Sequence, residues 1–258
     1  MRPREFNKVD PSRLATDGAC VKINRLAAGF CHLPDAHSQR PQKVTMNSIP
    51  QLDHEGEFQR AWADPSNTRI ELPLVDVNRV LAEHYRSSEN LTFTRAMLWD
   101  MEVRKAWRPD HYIPSIVWEG SAHTWGRRSA ADATESFIRS SQQRLWLEPA
   151  LYGLVLEQVY LNPTQQKVAF IGAAEMPDLD RNLLRADARQ PLFHVEHSVG
   201  GDESRPLNRW RIVHLTDRPD HRLVERFTLM ANDVWLPEFI EIYIRSDLNI
   251  ELTRRDIS

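Results

Sequence analysis

Glycine is scarce in this chain, nine of 258 residues, and phosphate-cradling loops depend on it. Neither G-x-G-x-x-G nor G-x-x-x-x-G-K-[ST] occurs, so nucleotide binding has no motif to rest on. G-x-S-x-G and H-E-x-x-H are missing as well, which removes two hydrolase signatures without excluding hydrolysis. Cys20 and Cys31 are the two cysteines. A disulfide framework is therefore excluded, in keeping with a reducing compartment. No apolar run approaches the roughly 18 residues that span a bilayer. The opening segment lacks the apolar core of a secretory signal, so a cytoplasmic location is expected by default. A formal charge of -3 and a pI near 6.4 give no electrostatic reason to expect nucleic acid or an anionic membrane as partner. Arginine far outnumbers lysine, which reads more simply as the codon bias of a GC-rich genome than as phosphate recognition.

What the chain does have is ordinary globular composition, 41% hydrophobic and 27% charged, over a length that can bury a real core. Residues 1–65 are poor in periodic pattern and rich in Pro, Asp, Asn, Gln and Ser. They read as an irregular N-terminal arm with at most short helices, for example Glu55 to Trp62, and as a surface through which a homodimer could assemble. Cys20, Cys31, His32 and His37 are zinc-ligand types, but the cysteines lie much further apart than the roughly two to four residues of a zinc knuckle. Residues 66–258 read as one ligand-binding domain. Arg69 to Val77 is a short edge strand interrupted by Pro73, and Asp76 or Asn78 can cap a helix through Val80, Leu81 and Tyr85. A further helix puts Phe93, Met97, Leu98 and Met101 on one stripe with Asp100, Arg104 and Lys105 away from it, and Pro109 ends the pattern after Trp107.

Strands follow: Ile113 to Gly120, Phe137 to Leu147, Ala150 to Leu161 and Lys167 to Ala174, the last two joined as a hairpin. Gln190 to Ser198 and Arg209 to Thr216 form another pair around Gly200-Gly201, and Arg222 to Met230 continues as a strand. Successive short turns make this an antiparallel meander. In the last segment Leu236, Ile240, Tyr243, Ile244, Leu248 and Leu252 fall at helical intervals and favour a long C-terminal helix, although Phe239 to Ile244 alternates as a strand would. The class expected is α+β, a meander sheet wrapped on a long C-terminal helix. A terminal hairpin would shift it toward a lipocalin-like barrel.

The strongest polar cluster is Phe193-His194-Val195-Glu196-His197. On a strand His194 and Glu196 share one face and Phe193, Val195 and His197 the other, so the inward face carries either a His-Glu pair or one histidine among apolar groups. His214 shares a strand face with Trp210 and Ile212, and pairing would let His194 and His214 meet across the sheet. Glu225 alternates with Leu223 and Phe227, as Glu157 does with Val155 and Val159, placing a carboxylate on an apolar face where its pKa rises and it can act as an acid. His194, Glu196, His214 and Glu225 are thus the catalytic candidates. Trp99, Trp107, Trp118, Trp125 and Tyr243 are candidate aromatic walls for a ligand. His111 and His123 flank the first strand after the long helix.

An edge strand, short helices, antiparallel strands and then a long amphipathic helix is the order of the helix-grip fold, which START-type lipid carriers, polyketide cyclases and plant pathogenesis-related ligand binders share. Over Leu91 to Leu252 the chain resembles that superfamily. Trp99 followed by Trp107-Arg108-Pro109-Asp110-His111 resembles, within it, the hydrolases that cut a carbon–carbon bond in 2,4-diacetylphloroglucinol or phloretin with zinc held by histidines and glutamates. The resemblance implies His111 as a metal ligand and carries over no further residue; Glu157, a carboxylate on an apolar strand face, is the other metal candidate. The C-terminal His-x-x-x-Glu pair of those hydrolases has no counterpart, since Met230 to Glu241 contains no histidine. Zinc is otherwise not expected, and no other cofactor is. The function expected is an enzyme acting on an aromatic or polyketide-like substrate in an apolar cavity by His/Glu acid–base chemistry, whether cyclisation, dehydration or carbon–carbon hydrolysis. The alternatives are a non-catalytic carrier or sensor of the same ligands, and an interaction protein working through the arm.

Overall fold

Side chains on a strand alternate between two faces, and in the middle of this sheet both faces are covered, as the consecutive buried residues Val168, Ala169, Phe170 and Ile171 show. The computed structural model describes residues 52–231 and 234–256. Helix α1 (His54–Ala63) opens it, followed by β1 (Thr68–Glu71), β2 (Val75–Asp76), α2 (Val77–His84), β3 (Tyr85–Ser87), α3 (Arg95–Trp107) and α4 (Pro109–Tyr112). Strands β4 (His123–Ser129), β5 (Glu135–Arg144), β6 (Tyr152–Asn162) and β7 (Lys167–Gly172) run as a meander. A separate ribbon of β8 (Glu175–Pro177) and β9 (Leu183–Arg185) leads to the hairpin β10 (Phe193–Gly201) and β11 (Pro206–His214). The chain ends in α5 (His221–Met230), α6 (Glu238–Ile242) with a π-helical turn over Tyr243–Asp247, and β12 (Leu252–Arg254), which pairs with β3.

The main sheet has the order β1-β11-β10-β7-β6-β5-β4, with β2 added beside β11, and every pairing is antiparallel. The class is α+β with a helix-grip-like arrangement of an antiparallel sheet around helices. On the inner face, Phe137, Val159, Leu161, Val168 and Phe170 pack against Ala106, Val103 and Trp107 of α3. Leu98 and Met101 of the same helix pack on Phe239, Ile240, Tyr243 and Ile244. On the outer face, Phe58 and Ala61 of α1 cover Ala169, Ile171 and Val213. Side chains of Asp53, Asp76, Thr94 and Asp220 cap α1, α2, α3 and α5, satisfying backbone amides that a helix start leaves without partners.

Among the described residues β4 is an edge strand that pairs only with β5, and its register shifts between Trp125 and Arg128. Gly126 lies in this bulge at a φ of 66°, a left-handed conformation that glycine adopts without steric cost. No helix among the described residues is long and apolar enough to cross a membrane.

Several expectations are corrected. Ile113 to Gly120 is not a strand: the amides of Ile116 and Val117 turn back to the Ile113 carbonyl, and only Val117 bridges to the sheet, at Gln143. Arg222 to Met230 is helical. Its buried residues Leu223 and Phe227 are four apart, a spacing that fits one helix face and an alternating strand equally, and the Asp220 side chain accepting from the Arg222 amide decides in favour of helix. The C-terminal segment is a helix as expected but stops at Asp247, and Leu252 lies in β12. The stretch assigned to the arm contains α1, which packs on the sheet, so the folded body reaches back before residue 66. Cys20, Cys31, His32, His37 and the assembly role of the arm fall outside the described residues.

Phe58 is fully buried at the centre of the contact between α1 and the sheet. Phe58→Ala is expected to lower unfolding free energy by about 3–5 kcal/mol, read from the denaturant midpoint at constant m-value. A change below about 1 kcal/mol would show that α1 contributes little to the fold.

Candidate functional site

Residues 98, 101, 102, 105 and 106 share one helix face, so the stripe of α3 that meets the sheet carries Glu102 and Lys105 between Leu98, Met101 and Ala106. Both charges are almost completely buried, at 1% and 3% side-chain exposure. Lys105 Nζ stands 2.7 Å from Glu102 Oε2, and His197 Nδ1 approaches the same oxygen at 3.0 Å. Asn208 donates from Nδ2 to Glu102 Oε1 at 2.8 Å. The alternation of β10 and β11 turns His197 and Asn208 to the inner face. His197 lies flat on Trp210, ring centroids 4.4 Å apart and planes within 7°, with Phe170 at its edge.

Burial alone would raise the Glu102 pKa, yet the neighbouring Lys105 and His197 bring it down to about 2. Burial lowers Lys105 to about 8 against the pull of Glu102. Burial, and then the Lys105 charge, lower His197 to about 4. At neutral pH the site therefore contains an ionised carboxylate, an ammonium and a neutral imidazole. An ionised carboxylate only accepts hydrogen bonds, so His197 holds its proton on Nδ1 and Nε2 is the basic nitrogen. Glu102 is the ion-pair partner of Lys105 Nζ. The ammonium also faces the Phe239 ring, 3.7 Å away, and the Trp210 ring, 4.9 Å away.

Beside this cluster, cross-strand pairing sets Arg139 opposite Glu157. Arg139 donates to Glu157 Oε2 from Nε at 3.0 Å and from Nη2 at 2.6 Å, and from Nη1 to the Ala106 carbonyl at 2.8 Å. Both groups of charges border a cavity of about 420 Å³, within the size range of small-molecule sites. Its walls are mostly apolar and include Trp146, Phe193, Val195, Trp210, Ile212 and Phe227, while Leu74 and Met230 stand partly exposed at the rim.

The candidates named from sequence are distributed differently. His194 and Glu196 face outward under α1: His194 Nδ1 accepts from the Gly172 amide at 3.1 Å, and Glu196 takes Arg211 Nε at 3.1 Å and Lys167 Nζ at 3.5 Å. His214 is on the inner face, but β10 and β11 pair Phe193, not His194, with it, so the two histidines lie on opposite faces. It sits between Phe193 and Phe227, outside the cavity lining. Glu225 is exposed on α5. Glu157 borders the cavity as its alternation requires, though paired with Arg139, and His111 is half-buried with its ring against Tyr112. Among the described residues no group of three or more His, Cys, Asp or Glu could hold a metal ion, so His111 and Glu157 lack the companions that the hydrolase resemblance needs.

Trp99, Trp107, Trp118, Trp125 and Tyr243 do not line the cavity; Trp146, Trp210 and Trp235 do. Trp107 stacks on Phe137, Trp118 is 59% exposed, Trp125 donates to the Pro177 carbonyl at 3.1 Å, and Tyr243 donates to Asp100 at 2.8 Å. Trp99 packs between the two inner clusters of apolar residues. Glu102, Asn208 and the inward Lys105 were missed. Continuing the Leu98–Met101 stripe by four residues lands on Lys105, which is the signal that was available.

No protein-family model matches the chain, and no curated protein matches it. Among solved structures, the Zhui aromatase/cyclase from a Streptomyces species is similar over 69% of this chain and 95% of its own, at 9% identity and a TM-score of 0.41. A START superfamily protein from Mycobacterium smegmatis is similar over 57% and 88%, at 10% identity and a TM-score of 0.36. The structure of Ara h 8.0201 is similar over 64% and 90%, at 9% identity and a TM-score of 0.33.

Because the Lys105 charge helps depress His197, Lys105→Met is expected to raise the imidazole pKa above its value near 4 while the Glu102 hydrogen bond persists. An NMR titration of the His197 ring carbons measures this, and an unmoved or lower midpoint would rule out the electrostatic coupling.

Proposed function

We propose that the protein is an enzyme that takes a small aromatic or polyketide-like molecule into the inner cavity and moves a proton on it, with His197 as the base. The reading rests on one observation: a neutral imidazole, aligned by an ionised glutamate and flanked by an ammonium, borders a mostly apolar cavity. Its chemistry is acid–base, as the sequence suggested, but carried by His197 and Glu102 in place of His194, Glu196, His214 and Glu225.

In this reading the apolar walls hold the ring system and exclude water. His197 Nε2 removes a proton next to a carbonyl or from a hydroxyl, and the imidazolium formed is stabilised by the Glu102 carboxylate at its other nitrogen. The negative charge that develops on the substrate oxygen is favoured by the nearby positive charge of Lys105, felt through a low-dielectric interior. Asn208 fixes the second carboxylate oxygen and so keeps Glu102 from rotating away from His197. Returning the proton to a leaving hydroxyl would complete a dehydration, whereas attack of the enolate carbon on a second carbonyl of the same molecule, with the proton returned to the alkoxide so formed, would complete a cyclisation.

Exchange of the acidic C–H protons of aryl methyl ketones and of 1-phenylbutane-1,3-dione in D2O, followed by NMR, tests the assignment without knowing the natural substrate. The wild type is expected to accelerate exchange, and His197→Asn to reduce the acceleration by about 100-fold or more while keeping the ligand-induced rise in Tm. Equal exchange by His197→Asn would remove His197 as the base. Binding without any exchange by the wild type would leave a carrier or sensor of the same ligands.

A further inference from the structure

His214 is the most completely enclosed histidine among the described residues, with 0% exposure and no hydrogen-bond partner at either ring nitrogen. Phe193 of β10 stands 5.5 Å from its ring and Phe227 of α5 stands 5.6 Å away. Strand β1 closes a third side through Thr68, whose hydroxyl is occupied with Thr216 and the Asp220 amide. An imidazole in this cage must be neutral, since the protonated form has two donors and nothing to receive them.

The charged groups nearby do not change this. On β1, Arg69 and Glu71 alternate to the outer face, as do His194 and Glu196 on β10 and Arg209 and Arg211 on β11. On α5, His221, Arg222 and Glu225 are exposed and Arg226 is half-buried on the flank. Asp217 and Arg218 in the preceding turn are exposed, and Arg144 and Glu148 beside Trp146 are directed to Pro149 and solvent. Asp220, the cap of α5, is the one acidic group whose charge bears on His214, and it is already paired with Arg222.

We propose that His214 makes α5 an acid-releasable wall of the ligand cavity. Of the elements around the ring, β1 and β10 are held by sheet hydrogen bonds, whereas α5 is held by Leu223, Phe227 and its cap. Lifting α5 is therefore the least disruptive way to bring water to the ring. The same helix supplies Phe227 and Met230 to the cavity lining, and its outward residues Val224 and Leu229 are uncovered. Protonation would thus open the cavity from this side. The sign follows from burial, which lowers His214 from 6.5 to about 4: above 6.5 both closed and open forms are neutral, and below it only the open form takes a proton. Opening is favoured by about tenfold per pH unit from 6.5 down toward 4.

The consequence for a ligand rests on the cavity reading above, but the switch itself is testable without one. Hydrogen–deuterium exchange of residues 221–230 between pH 7 and pH 5, corrected for intrinsic rates, should show protection falling by about tenfold per unit below 6.5 in the wild type. His214→Phe, with His214→Leu as a second variant should the first not fold, should remove that acid response. His54, His194 and His197 also have lowered pKa values but none lies on α5 or beside it in the cage, so their effects appear elsewhere in the map. An unchanged acid response in the folded variant, or none in the wild type, overturns the proposal. In parallel, release of the dye 8-anilinonaphthalene-1-sulfonate should speed up at pH 5 in the wild type and not in the variant. A dye that never binds counts against the cavity reading, while the exchange measurement still decides the switch.

Discussion

An ionised carboxylate inside a protein has to be surrounded by donors, and the interior of this fold is arranged around that requirement at Glu102. Moving such an ion out of water costs on the order of several kcal/mol, recovered only with good geometry and full hydrogen bonding. Here the partners come from three elements: Lys105 from α3, His197 from β10 and Asn208 from β11. Each occupies an inner-face position, so α3 cannot slide or rotate on the sheet without leaving the carboxylate unpaired. The cluster ties helix to sheet, while burial and then the Lys105 charge keep the imidazole neutral.

The two faces of the sheet give the titratable groups different surroundings. Outward, His194 lies beneath α1 and Glu196 is paired with Arg211 and Lys167. Inward, the pairing of Arg139 with Glu157 and of Lys105 with Glu102 allows Lys105, Arg139 and Glu157 to border a mostly apolar hollow. The C-terminal region relies on the same principle. Glu241 is buried and receives Tyr85, Arg245 and Arg254, joining the end of the chain to the start of β3.

Much of the fold was legible because local signals agreed with the tertiary outcome. The hairpin β6–β7, the pair β10–β11, the helix through Val80 and Leu81 and the stop at Trp107 each combine a clear period with a turn or a proline. α5 was not legible, since Leu223, Glu225 and Phe227 satisfy two periods at once and only the cap separates them. The site was harder still. Alternation correctly split His194 and Glu196 from His197, but which face turned inward depends on α1 and α3 covering opposite sides, which no local pattern states. Tryptophans are poor guides for the related reason that each is large enough to bury on any surface. Trp107 stacks on Phe137 and Trp118 meets Tyr152 edge-on, away from the cavity, while Trp146, Trp210 and Trp235, spread through the chain, line it.

The irregular β4 has a consequence beyond its own geometry. A sheet that ended on a flat, regular ladder would offer its unpaired amides and carbonyls to any other extended chain. The bulge at Gly126 twists that border out of register, and Arg127, ion-paired with Glu135, sets a charged side chain upon it. Such a margin is a poor template for templated stacking, so the protein can carry a long antiparallel layer and still resist growth into fibrils through that side.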